Sequence, residues 1–218
     1  MIHTSRSRPG GHSNNSDDFR RVFLRRVHQL IQLGYEQLDP ARYATEQEPA
    51  ITGELVKAID QVLDDRPSPW MVYFSVHDDP PVHDTNRKGK QRLRLDIRID
   101  CSSSRPRTRY RIEAKRLGQG NSISKYLGTA GLGCFLSGAY AREDDHCGML
   151  GYVQSPDCTG WSQRVSTALN DERFNLKAGS VSQVDSFKHT GILSFCATHT
   201  RPTVGREIVV DHIFMRFY

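Results

Sequence analysis

The chain lacks any CxxC pair, and its five cysteines, Cys101, Cys134, Cys147, Cys158 and Cys196, are odd in number. That argues against a secreted disulfide framework and against a structural zinc site. They read instead as reduced thiols of a cytoplasmic protein. No apolar run approaches the ~18 residues of a membrane span, so no membrane partner is expected. Residues 1–16, MIHTSRSRPGGHSNNS, have no apolar centre and are not a secretory leader. Their Ser, Arg, Gly, Pro and Asn content predicts a disordered basic tail ahead of a single domain over 17–218. There is no internal repeat, and no nucleophile elbow accompanies the cysteines and histidines, so a thiol hydrolase has little to rest on.

What is present is a chain of 218 residues, 25% charged and 37% hydrophobic, with a formal net charge of +5. It is long enough to bury a full core without covalent staples. A pI near 9.0 suits a phosphate-rich partner without requiring one.

Hydrophobic spacing predicts two helices first. Phe19, Val22, Phe23, Val27, Leu30, Ile31 and Leu33 recur at helical intervals, with Gly34 as the stop. Residues 35–48 read as a connection. A second helix over 49–63 carries Ile51, Leu55, Ala58, Ile59 and Val62 on one stripe, with Pro49 suited to its first turn. The period then changes. Residues 70–76 read as a strand and 77–91 as a loop, while 93–100 and 109–115 alternate in polarity about a polar connection, which is a hairpin pattern. A glycine-weakened helix over 122–137, a strand over 149–154, a helix within 160–176 and closing strands over 192–199 and 207–218 complete the reading. The fold class is α/β, a central mixed β-sheet with a hairpin, flanked by helices.

The hairpin carries the chemistry. In Leu93–Asp100 the even-numbered residues Arg94, Asp96, Arg98 and Asp100 share one face, and in Tyr110–Lys115 the set Arg111, Glu113 and Lys115 does so. Pairing with the apolar faces together puts Asp96, Glu113 and Lys115 on one surface. One register sets Asp96 opposite Glu113, and two facing carboxylates call for a cation between them. A register shifted by two sets Asp96 opposite Lys115 and Arg98 opposite Glu113, which makes ordinary ion pairs. Spacing permits both.

A hydrophobic strand bearing Asp96, a hairpin and then Glu113-Ala114-Lys115 resembles the D…ExK pattern of PD-(D/E)XK, restriction-endonuclease-like, nucleases. The likeness runs from about Glu48 to Val153, with Leu95 standing where the motif's proline would be. It implies a metal-dependent endonuclease that hydrolyses phosphodiester bonds with Mg2+ or Mn2+. By resemblance Asp96 and Glu113 hold the metal, Lys115 positions the attacking water, and Glu54 on the preceding helix adds a further catalytic and metal-binding carboxylate. The resemblance extends through the glycine-rich segment to uncharacterised bacterial members of this superfamily, which accompany phage defence and mobile elements. The partners it implies are nucleic acid, DNA ahead of RNA, and a second copy of the chain or an accessory protein from a neighbouring gene.

Cations placed to contact the substrate are Arg87, Lys88, Lys90 and Arg92 in the loop before the hairpin, with Arg116 and Lys125 after it. The stretch 105–109 adds three arginines, and Tyr126 is a further cleft candidate. His77, Asp78, Asp79, His83 and Asp84 have metal-ligand chemistry but irregular spacing, and read as a loop. The alternative is a non-catalytic nucleic-acid-binding or protein-interaction module that uses Asp96, Glu113 and Lys115 as ion pairs.

Overall fold

The computed structural model describes residues 14–65, 68–82, 92–118, 120, 122–171, 176 and 178–218. Of the expected tail, 1–13 falls outside this set, and α1 (Asn14–Glu36) begins ahead of the expected Asp17.

Helix α2 (Glu48–Asp65) follows, then β1 (Phe74–Asp78), β2 (Ile97–Cys101) and β3 (Thr108–Leu117). Two short helices, α3 (Ile123–Leu127) and α4 (Leu132–Leu136), lead to β4 (His146–Val153). Helix α5 (Cys158–Leu169) precedes β5 (Ala178–Gln183), β6 (Ile192–Arg201) and β7 (Arg206–Arg216). The seven strands form one mixed sheet in the order β1-β2-β3-β4-β7-β6-β5. Pairings β3–β4 and β4–β7 are parallel and the other four are antiparallel. The α/β class with a central mixed sheet is therefore as read from the sequence.

Alternation along the strands gives the sheet two apolar faces. Tyr110, Ile112, Ala114, Ile213 and Met215 pack with Val27, Ile31, Ile51, Leu55 and Ile59 of α1 and α2. Leu117, Met149, Val210 and Phe214 pack with Tyr126, Leu132, Phe135 and Val165 of α3, α4 and α5. The central strands β3, β4 and β7 are buried on both sides, as parallel pairing between helical layers requires.

Several boundaries differ from the sequence reading. Pro69–Tyr73 winds as a 3-10 helix, so the strand expected over 70–76 starts at Phe74. The expected helix over 122–137 is split at residues 128–131. There Gly131 lies so close to the Tyr126 and Lys125 carbonyls that no Cβ would fit. Gly34 does not stop α1 but lies within it, at the crossing with α2. A Cβ there would overlap Ile59 Cγ1 and sit 3.2 Å from Ile59 N. Gly34→Ala is expected to cost about 1–3 kcal/mol by overpacking this crossing, read as a lower urea midpoint with an unchanged slope.

Candidate active site

The β2–β3 register decides between the two pairings left open by spacing. Ile97 faces Ile112 and Arg98 faces Arg111, which on continuation sets Asp96 against Glu113. Arg98 does not reach Glu113. Its Nε lies 2.9 Å from Asp100 Oδ1.

Asp96 sits at the bend just before β2 begins, where the chain separates from β3. The β3 backbone loses its ladder partner there, and the Asp96 side chain replaces it: Oδ2 accepts from the Ala114 N–H at 2.6 Å. Tyr140 fixes the same corner by donating its hydroxyl to the Arg94 carbonyl at 2.6 Å. The approach to Asp96 is thus tied to β3 on one side and to the segment after α4 on the other.

Glu113 and Lys115 are two apart on β3 and point the same way. Lys115 Nζ donates to Glu113 Oε1 at 2.8 Å, to Glu48 Oε1 at 3.0 Å and to the Ala114 carbonyl at 2.6 Å, and lies 3.9 Å from Asp96 Oδ2. Glu48 Oε2 also accepts from the Arg116 N–H at 3.2 Å. Three carboxylates from α2, the β2 corner and β3 therefore converge on one ammonium. The other Glu113 oxygen, Oε2, is buried and has no hydrogen-bond partner.

Burial is the largest influence on these groups. It pushes Glu113 up to about 8, reinforced by the Asp96 charge and opposed by Lys115. It also pushes Asp96 up, against the Ala114 hydrogen bond and Lys115. Burial would lower Lys115, but Glu113, Asp96 and Glu48 outweigh it and hold the ammonium firmly protonated. Three acids around one cation leave excess negative charge in a partly dry site.

Glu54, expected here from the sequence, lies elsewhere. Its side chain is 47% exposed on α2 and pairs at 3.8 Å with Lys57. The α2 acid that reaches the cluster is Glu48, six residues earlier. The apolar stripe of α2 marks which side of the helix meets the sheet but not which acid clears its end. The available signal was an acid directly before Pro49, at the start of the helix, which meets the C-terminal part of β3.

Of the expected cations, Arg87, Lys88 and Lys90 lie outside the described residues. Arg92 is half-buried. Arg116 adjoins the cluster but points its guanidinium at the Glu46 carbonyl, 3.2 Å away. Lys125 is exposed on α3, and Tyr126 is buried with its hydroxyl on the Met149 carbonyl. His77 lies 3.5 Å from Asp100 and Asp79 pairs with Arg94, while His83 and Asp84 are outside the described residues. All five cysteines are free. Among the described residues no helix is long and apolar enough to cross a membrane, and no three His, Cys, Asp or Glu side chains are gathered closely enough to enclose a metal ion.

No protein-family model, curated protein or solved structure matches this chain.

Proposed function

We propose that the chain is a metal-dependent nuclease whose catalytic centre is Asp96, Glu113, Lys115 and Glu48. The convergence of three carboxylates on Lys115 at the split between β2 and β3 carries this reading. Each part of the D…ExK resemblance has a counterpart: an acid from the helix before the sheet, an aspartate at the start of a strand, and Glu113-Ala114-Lys115 on the next. A restriction-endonuclease-like fold is the finer reading this order supports.

The donor set suits a hard divalent cation. Mg2+ is commonly held by one or two carboxylates, with water and substrate phosphate completing its shell, so a full protein cage is not needed. Asp96 and Glu113 would hold it. The unpartnered Glu113 Oε2 is one ready oxygen, and burial together with the Asp96 charge keeps Glu113 protonated to about pH 8, a strain that a bound cation would relieve. When bound, such a cation neutralises a phosphate oxygen and makes water more acidic. Lys115, held cationic, would donate to a second phosphate oxygen or to the attacking water. Glu48 holds the ammonium in place. Tyr140, through Arg94, keeps Asp96 at the strand start.

The ammonium's position inside the carboxylate ring favours one other reading, in which Lys115 is the permanent counterion of a non-catalytic binding module. Cleavage of single- and double-stranded DNA and RNA, with and without Mn2+, separates the two. Lys115→Ala and Asp96→Ala are expected to fold and to lose about 100-fold or more of the activity. Full activity in either folded variant would remove the assignment. DNA ahead of RNA, self-association and a role in phage defence follow as proposals from the same reading.

A further inference from the structure

A cavity lies at the other end of the sheet. Asp96 and Cys101 bracket β2, so the β2–β3 turn stands roughly 17 Å from the carboxylate cluster at the rise of a strand. A pocket of about 310 Å³ opens there between the N-terminal half of α1 and the start of β3 and β4. Its apolar wall is Phe19, Phe23, Leu24 and Pro106. Phe19 is 36% exposed and faces this pocket.

The pocket's charges are unevenly committed. Asp144 is taken by Arg111, and Asp145 by Arg20. Arg107 and Arg109, both exposed, make no side-chain hydrogen bond or ion pair among the described residues. The Glu143 side chain is likewise uncommitted, since its contact to Arg206 is through the backbone carbonyl.

His146 lines the same pocket and is only 15% exposed. Its Nε2 is bound at 2.9 Å to Asp211 Oδ2, which also takes His28 Nε2 at 2.9 Å and the Tyr110 hydroxyl at 2.7 Å. Asp211 is 2% exposed. The imidazole is therefore anchored from behind by a buried carboxylate, and Nδ1 is the ring nitrogen left to a ligand.

We propose that this pocket binds a nucleotide, with its phosphate on Arg107 and Arg109, its base against Phe19, and a polar group within reach of His146. Two free guanidiniums suit phosphate geometry. An apolar aromatic wall suits a base. The ligand is a free nucleotide or one unit of a strand, and the site stands independently of the cleavage chemistry.

Calorimetric titration of the full chain in EDTA with AMP, inorganic phosphate and a single-stranded DNA dodecamer tests it. AMP is expected to bind with a Kd below about 1 mM. Arg107→Glu/Arg109→Glu should weaken it about tenfold or more, with an unchanged melting temperature. Phe19→Ala should weaken AMP but not phosphate, and Lys115→Ala should change neither, which separates this site from the carboxylate cluster. Binding of the dodecamer without AMP, lost in the double variant, assigns the pocket to a strand. Phosphate binding as tight as AMP, or unchanged binding of every probe in the double variant, overturns the proposal.

Discussion

Glu113→Gln is expected to abolish cleavage and, at pH 9 without divalent metal, to make the protein more stable than the wild type. The carboxyl titrates near 8 in the folded chain instead of its usual 4.5. Between those values the folded state keeps a proton that the unfolded chain has released, so wild-type stability falls as pH rises through that window and is lowest above it. Glutamine does not ionise, keeps an oxygen for Lys115, and escapes this loss. The gain is on the order of a few kcal/mol at pH 9 and vanishes near pH 4.5. Mg2+ should raise the wild-type melting temperature at pH 8 to 9 and leave the variant unmoved, because only the wild type has the second anionic ligand. Urea midpoints at pH 4.5, 7 and 9 check the first effect, and melting curves with Mg2+ check the second. A variant no more stable at pH 9 would mean that the crowding of Asp96 and Glu113 is already relieved in the folded chain.

Asp211→Ala is expected to be the most damaging single change to the fold, costing about 3–5 kcal/mol. That is a large share of the ~5–15 kcal/mol that holds a domain together. One carboxylate oxygen receives His28 of α1, Tyr110 of β3 and His146 of β4. Alanine would leave the buried His28 and Tyr110 and the half-buried His146 without their acceptor. Asp211→Asn keeps an oxygen in place and should lose less.

The pH response of stability has the opposite sign to that of Glu113. Burial alone would raise Asp211, but the hydrogen bonds from His146 and His28 hold it well below the usual carboxylate range. Its contribution is present above pH 3.8 and is lost as pH falls toward the folded value. His212 is pushed down to about 3 by burial and by His199. The unfolded chain takes up that proton below about 6.5 while the folded chain does not, so stability also falls from there downward. In the wild type the opposite response of Glu113 offsets this fall down to about pH 4.5, so it is the urea midpoint of Glu113→Gln that should descend steadily from pH 6.5 to 3, and a flat curve for that variant would contradict the His212 assignment.

The extent to which the site was legible in the sequence differs residue by residue. Alternation in 93–100 and 109–115 was enough to put Asp96, Glu113 and Lys115 on one surface, because a strand offers only two faces. It was not enough to fix the register. That is settled by long-range packing, with Ile97, Ile99 and Ile112 all buried against α1 and α2 and β1 holding β2 from its other side. Glu48 was hidden for a related reason. Helical periodicity resolves direction around an axis, whereas the reach of a side chain past the helix end depends on where the sheet stops. β5 was missed because AGSVSQ is exposed at the sheet edge and carries almost no alternation to read. The Asp211 cluster was unreadable, since it joins residues from α1, β3, β4 and β7 that share no local pattern.

The place of β7 bears on how the chain is made. It is the last strand in chain order, yet it lies inside the sheet between β4 and β6. During synthesis β4 must wait with one hydrogen-bonding edge open until residues 206–216 leave the ribosome. The acceptor for His28, Tyr110 and His146 arrives on that same strand. Until β7 is made, the chain ahead of it thus holds β4 with one open edge and His28, Tyr110 and His146 without their acceptor, a state prone to self-association.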